Sequence, residues 1–518
     1  MLINFLLNLQ LKKSNHSIFK TGKRDEEGKM SRPVLEKELP FIKVDVETAK
    51  RFENFLVEVM RESYGKYLGG ALTVSYMGSP GVLFYIDDDS GPLLEVLILY
   101  SDYGVKYRIS PLRAGVGSAL VERVSSLIES AVRFFAETGG YGMAYFVFVP
   151  GRQLVPPRTE SRMHRALQTL FLSNLVFIFA ISMVLSYAVF ALVRDYAPIV
   201  LILMQLPIML LSYKLVPFVM GDWAIDSAHR NVYLVGLRMP LGRYQEVLQK
   251  VIMPKRFEIK RRLYSSSIEH GVEIDEQQVK SILVEYGLSP DMYEVEVRKI
   301  DLYGLVERVA KNFGMRKLPK IYLSNIVVPN AAASGVGASL SSILVTTGLL
   351  SRLDEDEVEA VVGHELSHLK RHDVLTFFVL SSAEYLSRVY LALRYWPIFA
   401  TPLGLLYLWF SLTLLFFIAK FVEARADIDS AVFTGKPDKL ASALRKIGLR
   451  HLYVEGQWSG RLAAWLRWDP HPPLLFRVEK LAGMAKGGTI RNIWKEAMSS
   501  CVSDFLTTLR HALGWRST

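Results

Sequence analysis

The sequence predicts a mainly α, integral-membrane fold: four transmembrane helices in two hairpins, joined to α+β parts outside the bilayer. Three observations predict it. Half of the 518 residues are hydrophobic although 22% are charged, and the mean hydropathy is +0.21. The apolarity is concentrated, because Ala166 to Val193 and Tyr395 to Ala419 contain no Asp, Glu, Lys or Arg. Between these runs lie charged stretches with the periodicity of amphipathic helices and half-buried strands.

Composition narrows the class further. The single cysteine, Cys501, excludes an intrachain disulfide and fits a reducing compartment. The net charge is +11. The basic residues flank the apolar runs and no nucleic-acid motif is present, so the expected partner is an anionic bilayer surface and not nucleic acid.

Residues 1–30 read as a disordered tail. In "MLINFLLNLQLKK" the charges follow the apolar run and no small-residue cleavage site is evident, unlike a signal peptide. Met30 is a second candidate start. Residues 31–155 read as an N-terminal α+β accessory domain. "VETAKRFENFLVEVM" and "SALVERVSSLIESAVRFF" have helical apolar spacing, whereas "LLEVLILY" and "MAYFVFV" are short strand-like runs. The acidic triplet Asp87, Asp88 and Asp89 precedes Ser-Gly-Pro and reads as a solvated turn.

Residues 166–220 form the first expected transmembrane hairpin. The first run exceeds the roughly 20 residues a bilayer requires. Arg194 and Asp195 break it, and "YAPIVLILMQLPIMLLSY" crosses back, with Pro207 tolerable in a membrane helix. Residues 222–373 read as cytosolic α/β material, including helix-like "PLGRYQEVLQKVI" and "DEQQVKSILVEYG" and strand-like "KIYLSN". Residues 374–420 form the second hairpin. Its first arm holds Glu384 and Arg388, a pair that must face protein or a water-filled cavity if it lies at membrane depth. Residues 421–518 read as mainly helical. Arg158, Arg162, Arg165, Arg230, Arg238, Arg243, Lys370, Arg371, Lys420 and Arg425 all flank the same side of the spans. The positive-inside rule therefore places both termini in the cytoplasm of a multi-pass cell-membrane protein.

One motif carries chemistry. "VVGHELSHLKRHD" places His364 and His368 four residues apart on one helical face, with Glu365 beside the first. H-E-x-x-H supplies two metal ligands and a glutamate poised as general base. His372 lies about 12 Å along the axis from His364, too far for bonds of about 2.0–2.1 Å to one ion, and reads as a solvated residue at the helix end. Asp354 occupies the N-cap position with Glu357 three residues on, a capping box. Acids fill the first turn and bases the last, as the helix dipole favours. A catalytic zinc needs a third protein ligand and an open position. Downstream stand Glu384, Glu423, Asp427 and Asp429. Glu384 is too far along. Glu423 and Asp427 follow the last span on one helical face, so one can bind the ion and the other can accept the second N–H of a ligand histidine.

The ordered set is more specific than its parts. "PNAAASG" at 329–335, then "ILVTTGLLSRLDEDEVEAVVGHELSHLKRHD", a hydrophobic hairpin, "EARAD" and "DPHPPLLFRVEKL" resembles the HtpX family of membrane zinc metalloproteases. It is more distantly similar to the CAAX prenyl endopeptidases. The resemblance covers about residues 160–485 and implies a zincin-type α+β catalytic domain holding one catalytic Zn2+. It implies His364, His368 and Glu423 as ligands, Glu365 as base and Asp427 as the partner of a ligand histidine. It further implies that Asn330 and Ala331 pair with substrate backbone and that His471 assists the oxyanion. Residues 1–150 depart from the family's pattern. The expected activity is zinc endopeptidase action on damaged or misfolded membrane proteins. The alternative is a non-hydrolytic membrane scaffold that keeps a structural zinc and binds a partner through its N-terminal domain.

Overall fold

The computed structural model describes residues 35–40, 44, 46–88, 90–101, 104–113, 116, 118–155, 175–337, 339–455, 458–487 and 492–513. The expected tail, the beginning of the first span, and Arg158, Arg162 and Arg165 lie outside the described residues. The chain divides into two compact units. The first comprises Met1–Ala144, Leu237–Arg256 and Tyr286–Glu294; the second comprises Tyr145–Gly236, Phe257–Glu285 and Val295–Thr518.

In the first unit the order is β1 (Leu35–Pro40), α1 (Val46–Tyr64), β2 (Leu68–Tyr76), β3 (Ser79–Asp88), β4 (Gly91–Ser101), β5 (Gly104–Pro111) and α2 (Ser118–Thr138). The strands form an antiparallel sheet of order β1-β5-β4-β3-β2. Phe52, Phe55, Leu56, Val59 and Met60 recur at the 3-4 spacing of a helical face, and all five are buried. The Phe52 ring packs edge-on to Phe135 of α2 and Tyr100 of β4, with centroids 4.9 and 5.4 Å apart. The expected acidic turn is partly strand. Asp87 and Asp88 end β3 opposite Pro92 and Gly91, because the backbone ladder continues until Gly91 can adopt φ 109°.

Strand β6 (Tyr141–Phe148) follows, then the helices α3 (Leu175–Val193) and α4 (Ala197–Met220). Arg194, in the left-handed region at φ 48°, separates these two helices, which pack on each other. Next come β7 (Trp223–Ile225), β8 (Asn231–Pro240), β9 (Glu294–Asp301), α5 (Leu302–Asn312), β10 (Lys320–Ser324), β11 (Ala331–Gly335) and β12 (Ser341–Thr346). The helices expected near 241–252 and 276–285 form as Leu241–Val247, which runs on into a π-turn, and Glu276–Glu285. After them come α6 (Glu355–Arg371), α7 (Asp373–Arg394), α8 (Pro402–Thr434), α9 (Pro437–Glu455), α10 (Leu474–Ala485) and α11 (Ile493–Ala512). One sheet has the order β6-β8-β9. Another has the order β11-β12-β10-β7, with β10 and β12 parallel, and β11 antiparallel at its edge.

Two described stretches are long and apolar enough to cross a membrane, Val184–Met220 and Pro402–Thr434. Their large apolar side chains face outward, among them Leu192, Leu203, Ile208, Leu405 and Phe410. Exposed apolar surface of that extent calls for a non-aqueous neighbour. In α7, Glu384 accepts hydrogen bonds from Arg388 Nε at 2.9 Å and from Ser411 Oγ of α8 at 3.0 Å. The pair therefore faces protein.

Candidate metal centre

Helix α6 begins where the sequence places it. The Asp354 side chain accepts from Glu357 N at 2.8 Å, and Glu357 reaches back to Asp354 N at 2.9 Å. The helix stops at His372, whose φ of 58° is left-handed; the residue is exposed and its ring lies against Gly337. Within the helix, Gly363 permits close contact with α8. A Cβ there would meet Ser430 Oγ and Thr434 Cγ2 at 2.8 Å. Ser430 Oγ donates to the Ala360 carbonyl at 2.6 Å, fixing the two helices side by side.

That contact brings Glu423 to the histidines. His364 Nε2 is 3.2 Å from His368 Nε2 and 3.4 Å from Glu423 Oε2, and His368 Nε2 is 3.5 Å from Glu423 Oε1. A tetrahedral ion with bonds of about 2.0–2.1 Å sets its ligand atoms about 3.4 Å apart. The three side chains thus have the spacing of three corners of such a tetrahedron. Their chemistry fits too: two imidazoles and a carboxylate converge, and buried Glu423 Oε2 has no hydrogen-bond partner among the described residues. Such an orphaned acceptor costs free energy unless a cation or donor meets it. Glu384, an early candidate for the third ligand, is instead held by Arg388 and Ser411.

Each histidine is oriented through its other nitrogen. His364 Nδ1 lies 2.9 Å from Asp427 Oδ1, and Arg477 donates to both Asp427 oxygens at 2.7 Å. His368 Nδ1 lies 2.7 Å from Asp373 Oδ2, which also accepts from Arg425 NH2 at 2.6 Å. Carboxylates in these positions make Nδ1 the protonated nitrogen and leave the Nε2 lone pair for a metal. Burial alone would lower the affinity of His364 for a proton. Asp427 and Glu423 outweigh it and push the pKa up to about 10. The group is thus held beside negative charge that favours a cation. Below this layer Asp429, fully buried, accepts from Ser367 Oγ at 2.8 Å and from Arg371 NH2 at 3.0 Å.

Sequence reasoning missed Asp373 and Arg477, counted Arg425 only among the bases flanking a span, and weighed Asp429 only as a third ligand. Asp373 was detectable as the first acid after His368, past the end of α6. In "EARADIDS", Arg425 and Asp429 share a face next to that of Glu423 and Asp427.

Glu365, next in sequence to His364 and half-buried, accepts from Ala333 N of edge strand β11 at 2.8 Å. Asn330 is committed to β12: its N–H donates to Thr346 Oγ1 at 2.9 Å and its carbonyl accepts from Thr346 N at 3.0 Å. Alternation along the strand then turns the N–H and C=O groups of Ala331 and Ala333 to the open edge. His471 is exposed. Its Nδ1 is 3.0 Å from Asp469 Oδ1, its Nε2 is 3.5 Å from Glu423 Oε2, and it stands outside the three-residue cluster. Lys420, buried one turn before Glu423, donates to the Arg467 and Asp469 carbonyls at 2.8 and 2.6 Å and pins this loop to α8.

An edge strand beside two packed helices that carry two histidines and two glutamates defines a metallopeptidase-like centre. Comparison with known proteins agrees: residues 296–485 match the family model described as Peptidase family M48. A protease HtpX homolog of Methanothermobacter thermautotrophicus is 31% identical over 189 residues, covering 33% of this chain and 70% of the relative. Another, of Pyrococcus abyssi, is 30% identical over 214 residues, covering 36% and 73%. The chain belongs to the HtpX-like proteins of peptidase family M48. The crystal structure of S. mikatae Ste24p matches 71% of this chain and 77% of its own, at 14% identity and a TM-score of 0.34, a likeness too slight to carry an argument.

Proposed function

We propose that this protein is a membrane-anchored zinc endopeptidase with His364, His368 and Glu423 as ligands. The observation that carries this reading is the set of 3.2, 3.4 and 3.5 Å separations between their metal-facing atoms. When bound there, zinc supplies Lewis acidity and lowers the pKa of a water molecule. The residues around it supply the rest. Ala331 and the carbonyl of Ala333, whose N–H is taken by Glu365, offer backbone groups to an extended substrate, which adds to the sheet as one more strand. Asn330 contributes by its side chain, because its backbone is already paired. Glu365 accepts the proton of the attacking water and passes it to the leaving amine. The amide of Ala333 holds that carboxylate at the strand where the scissile bond would lie. His471, oriented by Asp469, donates to the oxyanion. Asp427 and Asp373 keep the two ligand histidines in the right tautomer.

The membrane part of the proposal is two hairpins, 166–220 and 374–420. Both termini and the metal centre are then cytoplasmic, and the substrates are damaged or misfolded membrane proteins. Outward apolar faces on α3, α4 and α8 and the satisfied Glu384–Arg388 pair support it. The test is purified, zinc-loaded protein given casein and an unfolded membrane protein, beside Glu365→Gln. Cleavage by the parent and none by the variant is expected. A parent that binds zinc yet cleaves neither substrate would favour the non-hydrolytic scaffold.

A further inference from the structure

Helix α11 lies beyond residue 485, where the family match ends. Its inner face is locked to the second unit. Ala497 and Cys501 are buried with Ala424, Ile428, Trp465 and Phe476. Asp504 accepts from Trp465 Nε1 at 2.8 Å and from Arg461 Nε at 3.2 Å. The apolar arc does not stop at that contact. Trp494, Met498, Val502 and Leu506 follow at steps of four and are 48%, 55%, 38% and 43% exposed. Each step of four turns about 40° around the helix, so the stripe winds steadily off the packed face. Scattered apolar exposure is ordinary on a protein surface; an in-register stripe of large side chains marks an interaction face.

The direction of α11 shows what meets that face. Near its start, the Trp494 ring lies 5.0 Å from the Arg425 guanidinium of α8. Three turns on, the Phe505 ring lies 5.4 Å from Phe417. The helix therefore runs back along α8 towards its charge-free part, which ends at Ala419 and bears exposed Leu406, Phe410 and Leu414. Trp468 Nε1 donates to Thr413 Oγ1 at 3.1 Å, within that charge-free part. Both acids of α11 are engaged, Glu496 with Lys480 and Asp504 with Arg461.

We propose that the outer stripe of α11, Met498 to Leu506, seats in the boundary layer of the bilayer. A continuous stripe of large apolar side chains, on a helix that runs beside an apolar span, is the surface such a helix presents to lipid. The proposal rests on the reading that α8 spans the membrane, and the experiment separates the two.

Single cysteines are introduced by Met498→Cys, Val502→Cys, Leu506→Cys, Ser499→Cys, Ser503→Cys and Leu406→Cys. Cys501, the one native cysteine, is buried and stays unlabelled. The full-length protein is labelled with a fluorophore in vesicles of phosphatidylcholine and phosphatidylglycerol. Quenching by nitroxide lipid is then compared with quenching by aqueous iodide. Labels at 498, 502, 506 and 406 should lose most of their fluorescence to nitroxide lipid, and those at 499 and 503 to iodide. If 406 responds to lipid but 498, 502 and 506 respond to iodide, the α11 proposal fails and the span stands. If 498, 502 and 506 respond to neither quencher, protein covers the stripe, a second copy being the first suspect, and the proposal also fails. If 406 does not respond to lipid, the span fails and the proposal with it.

Discussion

Two glutamates adjoin the same pair of histidines, and their different surroundings assign them different work. Glu423 is buried, with one oxygen orphaned between imidazoles; Glu365 is half-buried and held by the Ala333 amide. Glu365→Gln should therefore retain one zinc per chain, measured by metal analysis, and lose peptide cleavage, because an amide cannot accept the water proton. Glu423→Ala should lose both zinc and cleavage, whereas His372→Ala should lose neither. Zinc retained by Glu423→Ala but lost from His372→Ala would overturn the ligand assignment. Asp373→Asn and Asp427→Asn keep the size of the side chain but remove the negative charge beside each histidine Nδ1. Each should reduce zinc affinity about 10–100-fold in a chelator competition. The pairing of His364 with His368 was legible because H-E-x-x-H is local and helical spacing is fixed. Asp427 was legible because it shares a face with Glu423. The support for His368 was legible only in part: Asp373 follows five residues on, but the bond from Arg425 that fixes it forms only after α7 turns away and α8 returns, and no single periodicity spans that path.

At the scale of elements, α6 and α8 form the frame of the site, and their closeness depends on a missing side chain. Gly363 sits mid-helix, where alanine would ordinarily be favoured by up to about 1 kcal/mol. Here a Cβ would meet Ser430 and Thr434 at 2.8 Å. Overpacking of this kind costs about 1–3 kcal/mol, so the clash outweighs the propensity. Gly363→Ala should lower the thermal midpoint and weaken zinc binding together, since the strain separates Glu423 from the histidines. A rise in stability with unchanged zinc affinity would show that the helices relax apart freely. The sequence announced the ends of α6 clearly, because capping is a local hydrogen-bond problem. It announced β11 and β12 poorly. "AAASG" has weak strand propensity and becomes a strand by pairing with "SSILVT", a fully buried run. For the same reason the commitment of the Asn330 backbone to Thr346 could be found only from the pairing register.

At the scale of the molecule, the predicted topology is open to direct labelling. Cysteines placed in the 194–197 loop should react with an impermeant reagent from outside intact cells, and cysteines near 240 or 450 should not. External labelling at 450 would overturn the cytoplasmic placement of the metal centre. The two units set a harder test. Every proposed ligand, base and orienting residue belongs to the second unit, so the first is expected to be accessory to catalysis. Yet the chain leaves the first unit at Ala144 and returns to it at Leu237–Arg256 and Tyr286–Glu294. A cut near residue 155 therefore strips those returning segments of their partners. Tyr244, for example, lies against Gly142, where a Cβ would come within 2.0 Å of its ring, and its hydroxyl donates to the Met143 carbonyl. Gly142 and Met143 go with the deletion, and an apolar ring that packed on them is left to water. A chain beginning near 155 should accordingly bind one zinc with the parent's affinity and cleave an unfolded substrate, but melt at lower temperature and aggregate more readily. Restoring residues 31–154 as a separate polypeptide should recover the melting temperature without changing zinc affinity. A truncated protein that is folded and zinc-loaded but wholly inactive would show instead that the first unit builds part of the catalytic site.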